Sequence, residues 1–259
     1  MERTPLIAGN WKMNFDTCEA ENFVNKFKEN IKAVSGVDAL ICAPFPSLHA
    51  LHMLVSGTNI LLGAQNIFYE EEGTFTGEVS AKMISSYCTY VIVGHSERRA
   101  IFNESNKEVN RKIKIALEHN LVPILCFGES LEERKSGRTN KVLEETVSAG
   151  LEGISKEHIR NIVLAYEPIW AISKGKADIA KSLSATPETA QEAHSFVRSL
   201  ISKLFDQETA DKIRILYGGS MKPENVKQLM AKKDIDGGLV GGASLDPDSF
   251  AEVVKFKVD

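Results

Sequence analysis

The chain has 259 residues, enough for two small domains or one large one, since a single α/β barrel commonly runs to about 250 residues. Its 31 basic and 35 acidic side chains nearly balance, which excludes the basic footprint of a nucleic-acid binder and a polybasic membrane anchor, so any anionic ligand must be met by local groups. Cys18, Cys42, Cys88 and Cys126 are scattered without paired metal spacing, no apolar run reaches membrane-helix length and no signal peptide is evident, so a reduced cytoplasmic protein is expected.

In chain order, Leu6 to Ala8 is a short apolar strand that breaks into a polar, tight Gly9-Asn10-Trp11-Lys12. Between Cys18 and Val34, the residues Ala20, Phe23, Val24, Phe27 and Ile31 recur at helical spacing among charges, which predicts an amphipathic helix. Residues 38–43 form a second strand, stopped by Pro44 and Pro46, and 48–55 reads as helical. Further apolar runs occupy 60–64, 90–94, 122–127, 162–165, 213–217 and 238–241. Runs that are continuous rather than alternating mark strands buried on both faces, as in parallel sheets covered by helices. A doubly wound open sheet would give the same repeat. Eight runs, the total length and the lack of a linker favour instead a closed α/β barrel, (β/α)8, as a single domain over 1–259.

In such a barrel every strand's carboxyl end faces one mouth, so distant residues converge there. Asn10 and Lys12 follow the first strand, His95 and Glu97 the fourth, and Glu167 the sixth. Pro168 keeps Glu167 out of the helical region, so the carboxylate projects from the strand end as a candidate general base. A lone strand-end glutamate is more often a solvated residue, and only its company argues otherwise. Gly218-Gly219-Ser220 and Gly241-Gly242-Ala243 end the seventh and eighth strands, with Pro223 and Asp246-Pro247 placed as helix-start signals. Paired glycines before helix starts let backbone amides approach an anion, and two such pairs on adjacent strands favour a phosphate site over simple turns. His95 precedes a helix start, where the dipole should keep its ring neutral and able to donate to a carbonyl. His49, His52, His119, His158 and His194 stand beside no other chemistry and read as structural. Lys12 is either a cation for a negative transition state or a surface lysine. Together these groups fit proton abstraction next to a carbonyl in a small phosphorylated substrate, with no metal ligand set and no nucleotide fingerprint.

The segments 8–14 (AGNWKMN), 63–66 (GAQN), 75–80 (FTGEVS), 93–99 (VGHSERR), 165–168 (AYEP), 217–220 (YGGS) and 239–245 (LVGGASL) resemble the triosephosphate isomerase family over essentially the full length. That family is itself a standard example of a glutamate base beside a neutral histidine and of lid closure. The resemblance implies a TIM barrel that interconverts dihydroxyacetone phosphate and glyceraldehyde 3-phosphate, a step of glycolysis and gluconeogenesis, without a cofactor. It implies Glu167 as base, His95 as the group polarising the carbonyl, Lys12 and Asn10 as substrate contacts, and Glu97 in support. Amides of Ser173, Ser220, Gly241 and Gly242 would meet the phosphate, and 168–176 would be the lid. A homodimer is implied too, with the loop 73–78 inserted into a neighbour so that Thr76 approaches that neighbour's Asn10 and Lys12.

The chain departs from the family pattern in the lid. Ser173 and Lys174 stand where glycine and threonine are usual, and 178–184 intervenes before Ala185-Thr186-Pro187. A serine resists the positive φ that glycine accepts. The intervening stretch is expected to alter lid opening and leave the chemistry alone, or to be a tolerated surface bulge. Two rival readings remain open at this level: an aldolase that uses Lys12 as a Schiff base, and a phosphate-binding barrel without catalysis.

Overall fold

A computed structural model describes residues 3–171 and 185–257. Eight parallel strands close on themselves: β1 Leu6–Asn10, β2 Asp38–Ala43, β3 Ile60–Ala64, β4 Tyr90–Val93, β5 Val122–Phe127, β6 Val163–Tyr166, β7 Arg214–Tyr217 and β8 Gly237–Val240. Each pairs with the next, and β8 returns to β1 through Leu6 beside Gly237, which excludes the open sheet. The described helices are α1 Thr17–Ile31, α2 Phe45–Val55, α3 Ala81–Ile84, α4 Ser96–Ile101, α5 Asn106–Glu118, α6 Leu131–Lys135, α7 Thr139–Gly150, α8 Pro187–Leu204, α9 Gln207–Lys212, α10 Val226–Met230 and α11 Pro247–Val254.

The continuous apolar runs have a simple physical origin. Alternate residues of each strand face opposite sides, and here both sides are dry. Leu6, Leu40, Ile92, Ile124, Ala165 and Leu216 fill the barrel interior, while Ile7, Ile41, Leu125, Leu164 and Ile215 face the helices. Helix α1 buries Ala20, Phe23, Val24, Phe27 and Ile31, the stripe its spacing predicts, and starts with a capping box between Asp16 and Glu19. Cys42, Cys88 and Cys126 are buried free thiols and Cys18 is exposed. Burial pushes the Cys88 thiol up to about 12, so it packs as an inert apolar group.

Several boundaries differ from the sequence reading: α2 begins at Phe45 and takes Pro46 into its first turn, three residues before the expected start at 48. Strand β1 continues through Gly9 and Asn10, which pair with Ile41 and Cys42; a Cβ at Gly9 would meet Ser244 at 2.9 Å, so glycine lets Ser244 pack closely against the strand. Pro223 is not a first-turn proline: Lys222 to Asn225 makes a separate turn, and α10 begins at Val226. Pro247, by contrast, does occupy the first turn of α11 behind the Asp246 cap. Among the described residues no helix is long and apolar enough to cross a membrane.

Candidate active site

The carboxyl ends of the strands surround a cavity of about 510 Å³ lined by Asn10, Lys12, His95, Glu167, the turn from Gly218 to Lys222 and Gly241 to Ala243. A smaller cavity of about 390 Å³, walled by Arg134, Asn140 and Glu192 between α6, α7 and α8, holds none of these groups.

Glu167 leaves β6 with its N–H donating to Phe127 C=O at 2.7 Å, and its side chain is almost wholly buried. Two glycines make room for it. A Cβ on Gly128 would fall 1.7 Å from the Glu167 carbonyl oxygen, and one on Gly218 would fall 2.7 Å from its Cγ. The carboxylate is then held at both oxygens: Oε2 accepts the Ser96 N–H at 3.0 Å, and Oε1 lies 3.0 Å from His95 Nε2. Burial alone would raise its pKa, but His95, the Ser96 amide and Lys12 outweigh that and hold it below the usual carboxylate range. Glu167 is therefore ionised at neutral pH.

His95 is the N-cap residue of α4, and its Nδ1 accepts the Glu97 N–H at 3.2 Å. Accepting needs a lone pair on Nδ1, so the proton of the neutral ring sits on Nε2 and is donated to Glu167. The sequence analysis expected the helix dipole to disfavour the imidazolium, and the electrostatics of the site run the other way. Burial does oppose the imidazolium, yet the facing Glu167, with Glu97 behind it, outweighs burial and raises the ring's pKa above its ordinary value. What specifies the Nε2 proton is the capping bond rather than a depressed pKa.

Lys12 adopts φ of 53°, a left-handed conformation that costs a non-glycine residue free energy and persists mainly at functional sites. Asn10 holds it there by accepting the Lys12 N–H at 3.1 Å through Oδ1. The ammonium meets Glu97 Oε1 at 2.6 Å, and its stem runs beside Gly241, whose Cβ position lies 3.9 Å from Lys12 Cε. Thus Asn10, Lys12, His95, Glu97 and Glu167 are brought together, and the turns with Ser220, Gly241 and Gly242 share their cavity. A Cβ on Gly242 would meet nothing within 4 Å, so its backbone is open to the cavity. Thr76 lies apart, exposed in the loop between β3 and α3. Ser173, Lys174 and the stretch 178–184 fall outside the described residues; of the lid only 168–171 is described.

The family model for triosephosphate isomerase matches residues 5–257. The chain belongs to this family. It is 52% identical over 254 residues to the triosephosphate isomerase of Carboxydothermus hydrogenoformans, covering 98% of each chain. It is 49% identical over 255 residues to that of Geotalea uraniireducens, covering 98% of this chain and 99% of the relative. The crystal structure of triosephosphate isomerase from Bartonella henselae superposes with a TM-score of 0.88 at 35% identity, over 99% of this chain and all of that one.

In this member of the triosephosphate isomerase family the sequence reading passed over three residues that shape the site. Ser96 supplies an amide that α4 cannot use itself, being in its first turn. Gly128 and Glu129 follow β5, and the same strand-end rule that located the other groups points to them. Glu129 is fully buried and accepts from Tyr166 Oη at 3.0 Å, Trp170 Nε1 at 2.9 Å and Arg134 Nη1 at 3.3 Å. Its carbonyl also accepts the Ile169 N–H at 3.1 Å, so the first turn after Pro168 is anchored to β5.

Proposed function

We propose that the chain's isomerase activity, the interconversion of dihydroxyacetone phosphate and D-glyceraldehyde 3-phosphate, runs through Glu167, His95 and Lys12. The observation that carries this is the 3.0 Å contact of Glu167 with His95 Nε2 beside two glycine turns in one cavity. In the free site His95 donates its Nε2 proton to the base. A substrate carbonyl that takes over this donor polarises its own bond and at the same time strips Glu167 of a partner. Losing that stabilisation in a site closed to water raises the carboxylate's proton affinity when it must act. Glu167 then removes a proton from the carbon beside the carbonyl, His95 and Lys12 stabilise the enediolate, and Glu167 returns the proton to the neighbouring carbon. Glu97 keeps Lys12 and the His95 cap in place. The amides of Ser220, Gly241 and Gly242, with Ser173 from the lid, hold the phosphate. No step calls for a cofactor or metal.

An aldolase is disfavoured because Lys12 is tied to Glu97 as an ion pair, whereas a Schiff base needs a free amine. The chain acts as a cytoplasmic homodimer in this reading, with Thr76 of one copy reaching Asn10 and Lys12 of the other. In support, five of the eight large apolar side chains exposed among the described residues, Met13, Phe75, Met83, Ile101 and Phe102, lie in segments that follow β1, β3 and β4, while the loop with Thr76 stands in solvent. The test is coupled turnover of glyceraldehyde 3-phosphate by the wild type and by Glu167→Ala, with sedimentation to set the oligomer. Turnover lost by about 10³-fold in a folded variant supports the base; turnover retained refutes it.

A further inference from the structure

Asn225 occupies the N-cap position of α10, where its residue type is among the best at satisfying the helix's free amides. It does not do so: no side-chain cap is made. Its amide faces backward instead. Nδ2 donates to Ser220 C=O at 2.9 Å, and Oδ1 accepts the Lys222 N–H at 2.8 Å, while its own N–H donates to Lys222 C=O at 3.1 Å. One side chain thus clamps both ends of the segment Ser220-Met221-Lys222, and all three residues line the cavity. The preceding glycines are packed as tightly. Gly218 lies against Glu167 Cγ, and a Cβ on Gly219 would collide with Tyr217 Oη at 2.2 Å. The near side of the turn is thus packed against Glu167 and Tyr217, and Asn225 holds the far side.

We infer that Asn225 is a positioning residue for the substrate phosphate: it gives up capping α10 in order to fix the Ser220 turn at the cavity wall. The inference rests on the phosphate placement proposed above. A side chain that fixes a backbone donor acts on the bound phosphate and leaves the carbon chemistry to Glu167 and His95. Small displacements of such a donor are costly, so the effect reads out wherever a phosphate is recognised.

The experiment compares wild type, Asn225→Ala and Asn225→Ser in three measurements. Calorimetric binding of inorganic phosphate needs no turnover. Turnover of glyceraldehyde 3-phosphate and of unphosphorylated D-glyceraldehyde separates phosphate recognition from proton transfer. Serine keeps a good N-cap for α10 but is too short to span Ser220 and Lys222. Asn225→Ser is therefore expected to match or exceed the wild type in melting temperature, yet to bind phosphate about tenfold more weakly. Its kcat/KM for glyceraldehyde 3-phosphate falls by a similar factor, through KM more than kcat, and D-glyceraldehyde turnover stays at the wild-type level. Unchanged phosphate affinity in either folded variant, or an equal fall for both substrates, overturns the inference. A wild type that binds phosphate with Asn225-dependent affinity but turns over no triose phosphate would support the clamp and refute the isomerase mechanism.

Discussion

The two ends of the barrel both bury charge, and they do so in opposite ways. At the amino end Arg198 is saturated: Nε donates to Asp234 at 2.7 Å, Nη1 to the Ala210 and Ile213 carbonyls at 2.5 and 3.0 Å, and Nη2 to Asp236 at 2.6 Å and to Asp234 C=O at 3.2 Å. Asp236 also takes Arg3 Nε at 2.5 Å and the Ile215 N–H at 2.8 Å. All the guanidinium nitrogens are thus taken by the protein itself. At the carboxyl end Glu167 is held by a histidine proton and one orphan helix amide, donors that a substrate carbonyl can take over. Buried charge thus builds a lock around Arg198 at one end and an exchangeable site around Glu167 at the other, and the difference is whether a ligand can take over the partners of the charged group.

The comparison is broken or sharpened by substitutions at each end. Arg198→Met strands two buried aspartates and should cost about 3–5 kcal/mol in urea unfolding while the folded fraction keeps its kcat; a loss of kcat with stability intact would reverse the assignment of the two ends. His194, fully buried with Nδ1 donating to Asp234 C=O at 3.1 Å, belongs to the lock. Burial lowers its pKa from 6.5 to about 4, so the unfolded chain takes up a proton that the native one refuses. Stability is complete above about 6.5 and falls as the pH drops toward 4, by about 3 kcal/mol in all at roughly 1.4 kcal/mol per unit. Denaturation at pH 7 and pH 5 should show this slope in the wild type and lose most of it in His194→Gln.

At the other end, His95→Gln should lower kcat about 10²-fold, out of proportion to its effect on melting temperature, since a glutamine amide can still donate to Glu167 in the free site but stabilises the developing charge of the transition state less well. Equal losses of stability and turnover would mean that His95 mainly supports the structure. Glu97→Gln should cost least, about tenfold in kcat/KM, because it loosens Lys12 without removing it. A greater loss than in His95→Gln would require Glu97 to touch the reacting atoms.

Much of this was legible before the fold was known, because the relevant signals are local. Continuous apolar runs mark strands dry on both faces, the 20-23-24-27-31 stripe marks α1, and glycines or a proline at strand ends mark where the chain must stop. The barrel then follows from count and length, and the convergence of Lys12, His95 and Glu167 follows from the barrel. The resemblance of seven short segments to one family supplied roles that spacing alone left open. What misled was also local: Pro223 carries a helix-start signal that the Asn225 turn overrides.

By itself, then, the sequence determined the order of the strands, their two-sided burial and which polar residues stand at the carboxyl ends, since each of these is written in neighbouring residues. Only the tertiary structure decided how those groups are paired. That Ser96, with His95 beside it, grips a carboxylate 71 residues after Ser96, that Gly128 must yield to its carbonyl, and that Asn225 turns away from its own helix all depend on which hydrogen-bonding groups meet in space. Donors and acceptors of equal local merit compete for each partner, and packing settles the competition.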